Sequence, residues 1–98
     1  TLIFDEIDSG TSGKVANVIG DLMKKIGFES QIIAISHLAQ VAAKASNHFK
    51  VYKILSSNKP KTLLRKLNHE ERIEEIAAMI SADNITNPAL DQAIELLK

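Results

Sequence analysis

The chain has 98 residues, no cysteine and a formal net charge of zero, with 45% hydrophobic and 24% charged residues. Such a composition suits one small globular domain with a modest core. It excludes a disulfide framework or a thiolate metal site, fits a reducing cytosol, and supplies no global field to draw in nucleic acid or an anionic membrane.

No apolar run is long enough to span a bilayer, and no signal peptide is visible. Thr1 stands inside a strand-like run, so the chain is expected to be a piece of a longer polypeptide, cut at or near the start of a core strand.

The opening "TLIF" is short, apolar and β-prone, the pattern of a strand buried on both faces. It runs into Asp5-Glu6, and "DSGTSG" follows as a flexible loop. Ser12 is the expected N-cap of a helix in which Val15, Val18, Ile19, Leu22, Met23 and Ile26 form one apolar face. Lys24 and Lys25 suit the negative end of its dipole, and Gly27 supplies the stop. "QIIAIS" reads as a second buried strand, so strand, helix and strand predict a parallel βαβ crossover.

"LAQVAAKA" predicts a short helix after His37. "HFKVYKIL" alternates as a half-exposed strand, "SSNKPK" turns, and "TLLRKL" returns as its hairpin partner. Asn68 with Glu71 resembles a capping box ahead of a helix striped by Ile73, Ile76, Ala77 and Ile80. Pro88 opens a final helix with Leu90, Ala93, Ile94 and Leu97 on its buried face. Leu2, Phe4, Val18, Leu22, Ile33, Ile35 and Ile76 are the expected core.

Charge is unevenly spread. Lys44 to Lys66 holds seven Lys/Arg and no Asp/Glu, whereas Glu70 to Lys98 holds seven acids and two bases. Such runs either pair with each other or offer a basic face to a partner, and self-pairing with solvation is the commoner outcome.

In an open α/β sheet, ligands sit beyond the carboxyl ends of the parallel strands. One such end carries Asp5 and Glu6, the other Ser36 and His37. An apolar strand ending in Asp-Glu is the Walker B pattern of nucleoside triphosphatases. There the Asp offers Mg²⁺ a hard oxygen, often through water, and the Glu, pointing to the other side of the strand, can orient or deprotonate the attacking water. An imidazole beside them can hydrogen-bond a phosphate as charge develops. The pattern also occurs in AAA-type ATPases, helicases and, loosely, phospho-acceptor domains. The bland alternative is a pair of solvated acids and a structural histidine.

Three longer stretches carry a resemblance. "TLIFDEIDSGTSGKVA" resembles the Walker B and D-loop region of the RecN family of bacterial DNA-repair proteins. "ISHLAQVAAKASNHFKV" resembles its switch-histidine segment, and "LNHEERIEEIAAMISADNITNPALDQAIELL" its C-terminal helices. The family is related to the structural-maintenance-of-chromosomes proteins and has an ABC-type ATPase head. One departure is Ala39, where the family pattern has Pro.

The resemblance implies an α/β fold. Residues 1–98 would form a single partial domain, the C-terminal lobe of a P-loop NTPase head of ABC type. Walker B and D-loop would fall in 1–13, the switch-histidine strand and loop in 30–38, and the C-terminal helices in 68–98. It implies Asp5 as the Mg²⁺ ligand and Glu6 and His37 as catalytic residues. Ser9, Gly10, Thr11 and Ser12 would be D-loop residues at a head–head interface, in a cytoplasmic, nucleoid-associated ATPase of DNA double-strand-break repair and recombination.

The same resemblance implies ATP and Mg²⁺ as cofactors of the parent. Its partners would be the remainder of the head, a second head in a homodimer, and DNA, which the fragment binds weakly or not at all.

The chain has no GxxxxGK[ST] phosphate loop and no "LSGGE"-type signature, so it is expected to be inactive alone, with no bound cofactor. Two other readings stay open: a piece of an AAA-type or helicase ATPase, and a non-enzymatic module whose basic hairpin contacts DNA or a partner.

Overall fold

Among residues 1–82 and 84–98, which the computed structural model describes, the chain runs β1 (Leu2–Asp5), α1 (Gly13–Ile26), β2 (Ile32–Ile35), α2 (Ala39–Ala42), β3 (Phe49–Ser56), β4 (Lys59–Lys66), α3 (His69–Ile80) and α4 (Asn87–Leu97). Asp83, one of the seven acids of the C-terminal stretch, lies outside the described residues. The fold is α/β, with a parallel strand pair, an antiparallel hairpin and helices.

β1 and β2 pair in parallel from Leu2↔Ile32 to Asp5↔Ile35. Bonds from Leu2 N–H to the Gln31 carbonyl and from Glu6 N–H to the Ile35 carbonyl, both 2.8 Å, extend the ladder at its two ends. The crossover helix α1 starts where Ser12 Oγ accepts from Val15 N–H at 3.4 Å, and carries Lys24 and Lys25 in its last turn. Gly27 is its C-cap at φ −62°, so it ends the helix without using a left-handed conformation.

Burial departs from expectation here. Leu2, Ile33 and Ile35 are exposed, Phe4 is half-buried, and Val18 and Leu22 are 62% and 56% exposed. Only Ile76 of the expected core set is fully buried. The reason lies in how α1 packs. It meets α2 through Ala16 and Gly20, its small-residue side, rather than through the Val15–Ile19–Leu22 stripe. A Cβ on Gly20 would sit 3.0 Å from the Gln40 carbonyl oxygen and 2.9 Å from Lys44 Cγ, so this approach requires glycine. Val15, Val18 and Leu22 of the apolar stripe are left exposed, while Ile19, Met23 and Ile26 are half-buried.

The hairpin pairs Phe49↔Lys66 through Ser56↔Lys59. Its turn is shorter than the sequence suggests: Ser57 and Asn58 alone make it, both with positive φ (51° and 63°), the geometry of a two-residue hairpin loop. Lys59–Lys61 therefore belong to β4, with Pro60 opposite Leu55.

The well-packed core is helical. Ala39 and Ala43 in and after α2, Ile76 and Ala77 in α3, and Ala89 and Ala93 in α4 form one buried cluster, flanked by partly buried Ile73, Met79, Ile80, Leu90, Leu96 and Leu97. Alanines let the helices approach closely, and Ile76 is the large side chain they enclose. α3 begins in a full capping box: Glu71 N–H to Asn68 Oδ1 at 2.8 Å, and Asn68 N–H to Glu71 Oε1 at 3.0 Å. α4 is capped by Thr86, with Pro88 in its first turn.

The charge runs pair with each other in part, and Lys44 of the basic run instead bridges to Asp21 at 2.8 Å. Lys50 bridges to Glu75 at 2.7 Å and Arg65 to Glu71 at 2.8 Å, joining hairpin to α3. Arg72 Nη2 donates to the carbonyls of Ala42, Ala43 and Ala45 (3.3, 3.4 and 2.9 Å), tying α3 to the end of α2.

Candidate functional site

Parallel register carries the carboxyl ends of β1 and β2 to one rim. Asp5 is the last residue of β1 and stands opposite Ile35, so Glu6 falls beside Ser36 and His37, thirty positions on. Glu6 Oε1 and His37 Nδ1 are 3.9 Å apart, with both side chains more than half exposed. In the described residues the expected acid and imidazole thus meet, facing solvent.

Glu6 reaches that position by a route the alternation of a strand does not give. It lies past the end of β1 with φ 52°, a left-handed conformation that an L-residue adopts at a cost. The chain turns sharply there rather than continuing extended.

The turn folds the following loop back on itself. Ser9 N–H donates to the Glu6 carbonyl at 3.1 Å, and Thr11 donates to the Asp8 carbonyl through both N–H (3.2 Å) and Oγ1 (2.7 Å). Gly10, at φ 77°, supplies the one left-handed glycine of the loop. Ser9, Gly10 and Ser12 are exposed and Thr11 is half-buried. The stretch that reads as flexible is therefore a hydrogen-bonded turn with three of its four expected site residues presented outward.

At its base sits a residue that the motif does not single out. Asp8 is 1% exposed. Its Oδ2 accepts from the Ser36 hydroxyl, and Ser36 Oγ in turn accepts from Leu38 N–H at 3.0 Å. Asp8 Oδ1 is buried with no hydrogen-bond partner among the described residues. In sequence Asp8 looks like an ordinary turn aspartate before Ser-Gly; its partner is 28 positions away, and no local signal links them.

A Mg²⁺ site of phosphoryl-transfer type takes one or two carboxylates from protein and completes its shell with waters and substrate phosphates. Asp5, exposed at the strand end, fits that single-ligand role. Among the described residues no three His, Cys, Asp or Glu gather as a metal cage, so an all-protein metal centre does not fit. No helix of the described residues is long and apolar enough to cross a membrane.

Beside the rim lies a groove of about 1010 Å³. One wall is β2 (Ile32–Ile35), the other the start of β3 at Phe49 and Val51. Among the described residues β2 pairs only with β1 and β3 only with β4, so each of these strands has an unpaired edge.

No protein-family model matches the chain. Among curated proteins, the DNA repair protein RecN of Rickettsia conorii is 45% identical over 97 residues, covering 99% of this chain and 18% of that protein. RecN of Haemophilus influenzae is 39% identical over 97 residues, covering 99% of this chain and 17% of that protein. RecN of Bacillus subtilis is 39% identical over 98 residues, covering 100% of this chain and 17% of that protein. The chain spans less than a fifth of the length of these relatives, at their C-terminal end. By sequence, the chain is similar to the C-terminal segment of DNA repair proteins named RecN.

Proposed function

We propose that the chain supplies the Walker B, D-loop and switch-histidine side of the nucleotide site in an ABC-type ATPase head, within a protein of DNA double-strand-break repair. The DNA-repair role is supported by the name that its relatives carry. The observation that carries the site is the strand-end rim: parallel pairing of β1 with β2 sets Glu6 Oε1 3.9 Å from His37 Nδ1, next to Asp5.

Each residue then has a task. Asp5 would hold Mg²⁺ through water, and the ion, when bound, neutralises charge on the phosphate oxygens. Glu6 would take a proton from the attacking water on a carboxylate oxygen. His37, with Nδ1 turned to Glu6, would use Nε2–H to donate to the phosphoryl group as charge grows on it. Ser9, Gly10, Thr11 and Ser12 would face a second head, where small side chains let another backbone come close.

The phosphate loop and signature motif, absent from this sequence, would come from the remainder of the head. The groove lined by β2 and β3 is where that remainder would sit, since each of those strands has an unpaired edge among the described residues. The 98 residues alone are expected to show no ATP turnover.

The test uses the full-length protein. Glu6→Gln should bind ATP yet slow hydrolysis by roughly 10²–10⁴-fold, the usual loss on removing a general base. Asp5→Asn should instead weaken Mg²⁺-dependent nucleotide binding. Hydrolysis by Glu6→Gln at the parental rate would show that the base has been misassigned.

A further inference from the structure

We infer that Asp8 is a positioning residue, which through Ser36 sets the place of His37 relative to Glu6. The inference rests on the site reading above and deepens it.

Asp8 is the one acid of "DEID" that is buried, at 1% exposure, whereas Asp5 and Glu6 are exposed. A carboxylate is taken out of water only at a cost that its partners must offset. The partner here is specific. The Ser36 hydroxyl donates to Oδ2, and the same oxygen of Ser36 accepts Leu38 N–H at 3.0 Å. These two bonds straddle His37, holding the residue before it by the side chain and the residue after it by the backbone.

The other side of Asp8 is held as firmly. Its carbonyl takes both donors of Thr11, at 3.2 and 2.7 Å, and the turn before it is closed by Ser9 N–H on the Glu6 carbonyl at 3.1 Å. Asp8 therefore joins three things: the left-handed turn at Glu6, the exposed loop of Ser9–Ser12, and the peptide that carries His37. His37 and Glu6 touch each other only at 3.9 Å and are both largely exposed, too loose a contact to orient either. Their relative position is left to the backbone, and the Asp8–Ser36 pair is the side-chain link across the two strand ends.

Ser36 alone does not suffice, because without an acceptor its hydroxyl is free to rotate. Asp8 fixes that rotor so that a lone pair faces Leu38 N–H. Orientation of this kind bears on the rate: a misplacement of about 1 Å can cost about 10²-fold.

The experiment uses the full-length protein with Asp8→Ala, Ser36→Ala, their double variant, and Ser36→Thr, which keeps the hydroxyl. ATP hydrolysis gives kcat and KM, thermal unfolding reports stability, and the His37 imidazole resonance, assigned with a His37→Gln variant, reports position independently of turnover. Asp8→Ala and Ser36→Ala should each lower kcat by on the order of 10-fold with KM within about twofold, and each should move the His37 resonance. The double variant should be no worse than the worse single one, and Ser36→Thr should restore both readouts. An unmoved His37 resonance overturns the inference, as does a moved resonance with parental kcat, or a loss of stability with both readouts unchanged. If Asp8→Ala fails to fold, Ser36→Ala and Ser36→Thr decide by the same criteria. Parental hydrolysis by Glu6→Gln would instead remove the base assignment, and no ATP hydrolysis by the parent would remove the ATPase reading; the resonance still reports whether the clamp exists.

Discussion

The two ends of this chain solve the problem of burial differently. The helical cluster closes on itself: α2, α3 and α4 enclose Ile76 among alanines, and capping groups and ion pairs finish its edges, although the hairpin beside it leaves Val51, Leu55 and Leu64 exposed. The N-terminal βαβ unit does not. It carries the candidate rim, yet Val18, Leu22, Ile33 and Ile35 all stand in solvent, and among the described residues β2 has an unpaired edge. Apolar surface left in water forgoes about 25 cal/mol per Å². A unit built this way would gain stability if another surface covered its bare side chains.

Paired substitutions break or sharpen this contrast. Ile76→Ala removes a fully buried side chain and should cost about 2–5 kcal/mol in urea unfolding of the 98-residue chain. Leu22→Ala, a deletion of similar size on the bare stripe, should change the same measurement by less than about 0.5 kcal/mol. In the full-length protein Leu22→Ala should become a core-type loss. Equal costs in the short chain would mean that the two halves are equally self-contained.

A smaller effect belongs to the helical half's edge. Asn68→Ala removes the acceptor of Glu71 N–H and should lower stability by about 1 kcal/mol, with the loss confined to the opening of α3. Circular dichroism during unfolding would check it, and an unchanged midpoint would mean that the tertiary contacts of α3 hold its first turn without the cap.

The pH response should also come from the helical side. Burial, with help from Arg72 and Lys50 and against the pull of Glu75, holds the His48 imidazole below its ordinary pKa of 6.5. The unfolded chain therefore binds a proton first. His48's contribution is fully present above pH ~6.5 and is lost as pH falls through that value toward the lowered folded one. Stability followed from pH 8 to pH 5 should decline, and His48→Gln should reduce that slope. A slope unaffected by the substitution would assign the decline to other groups.

What the sequence made legible was local. The Ser12 cap, the Asn68–Glu71 box and the hairpin pairing each depend on residues a few positions apart, and each is present. The strand ends were legible because parallel pairing follows from the βαβ pattern. Burial was not: periodicity shows which face of α1 is apolar, not what covers it, and α1 packs through Ala16 and Gly20 instead. Nor was the left-handed turn at Glu6, or the meeting of Asp8 with Ser36, since a side-chain pair 28 positions apart leaves no local mark.

If the proposed site is right, the βαβ unit is half of it and the remainder of the head fills its bare edge. Hydrogen exchange at β2 measures this most directly. In the 98-residue chain, diluted until sedimentation shows a monomer, the amides of Ile32–Ile35 that point away from β1 should exchange as quickly as those of a loop. In the full-length protein the same amides should be among the well-protected ones. Equal, rapid exchange in both would contradict the account, because β2 would then be an open edge of the whole molecule and the groove beside it would take no strand.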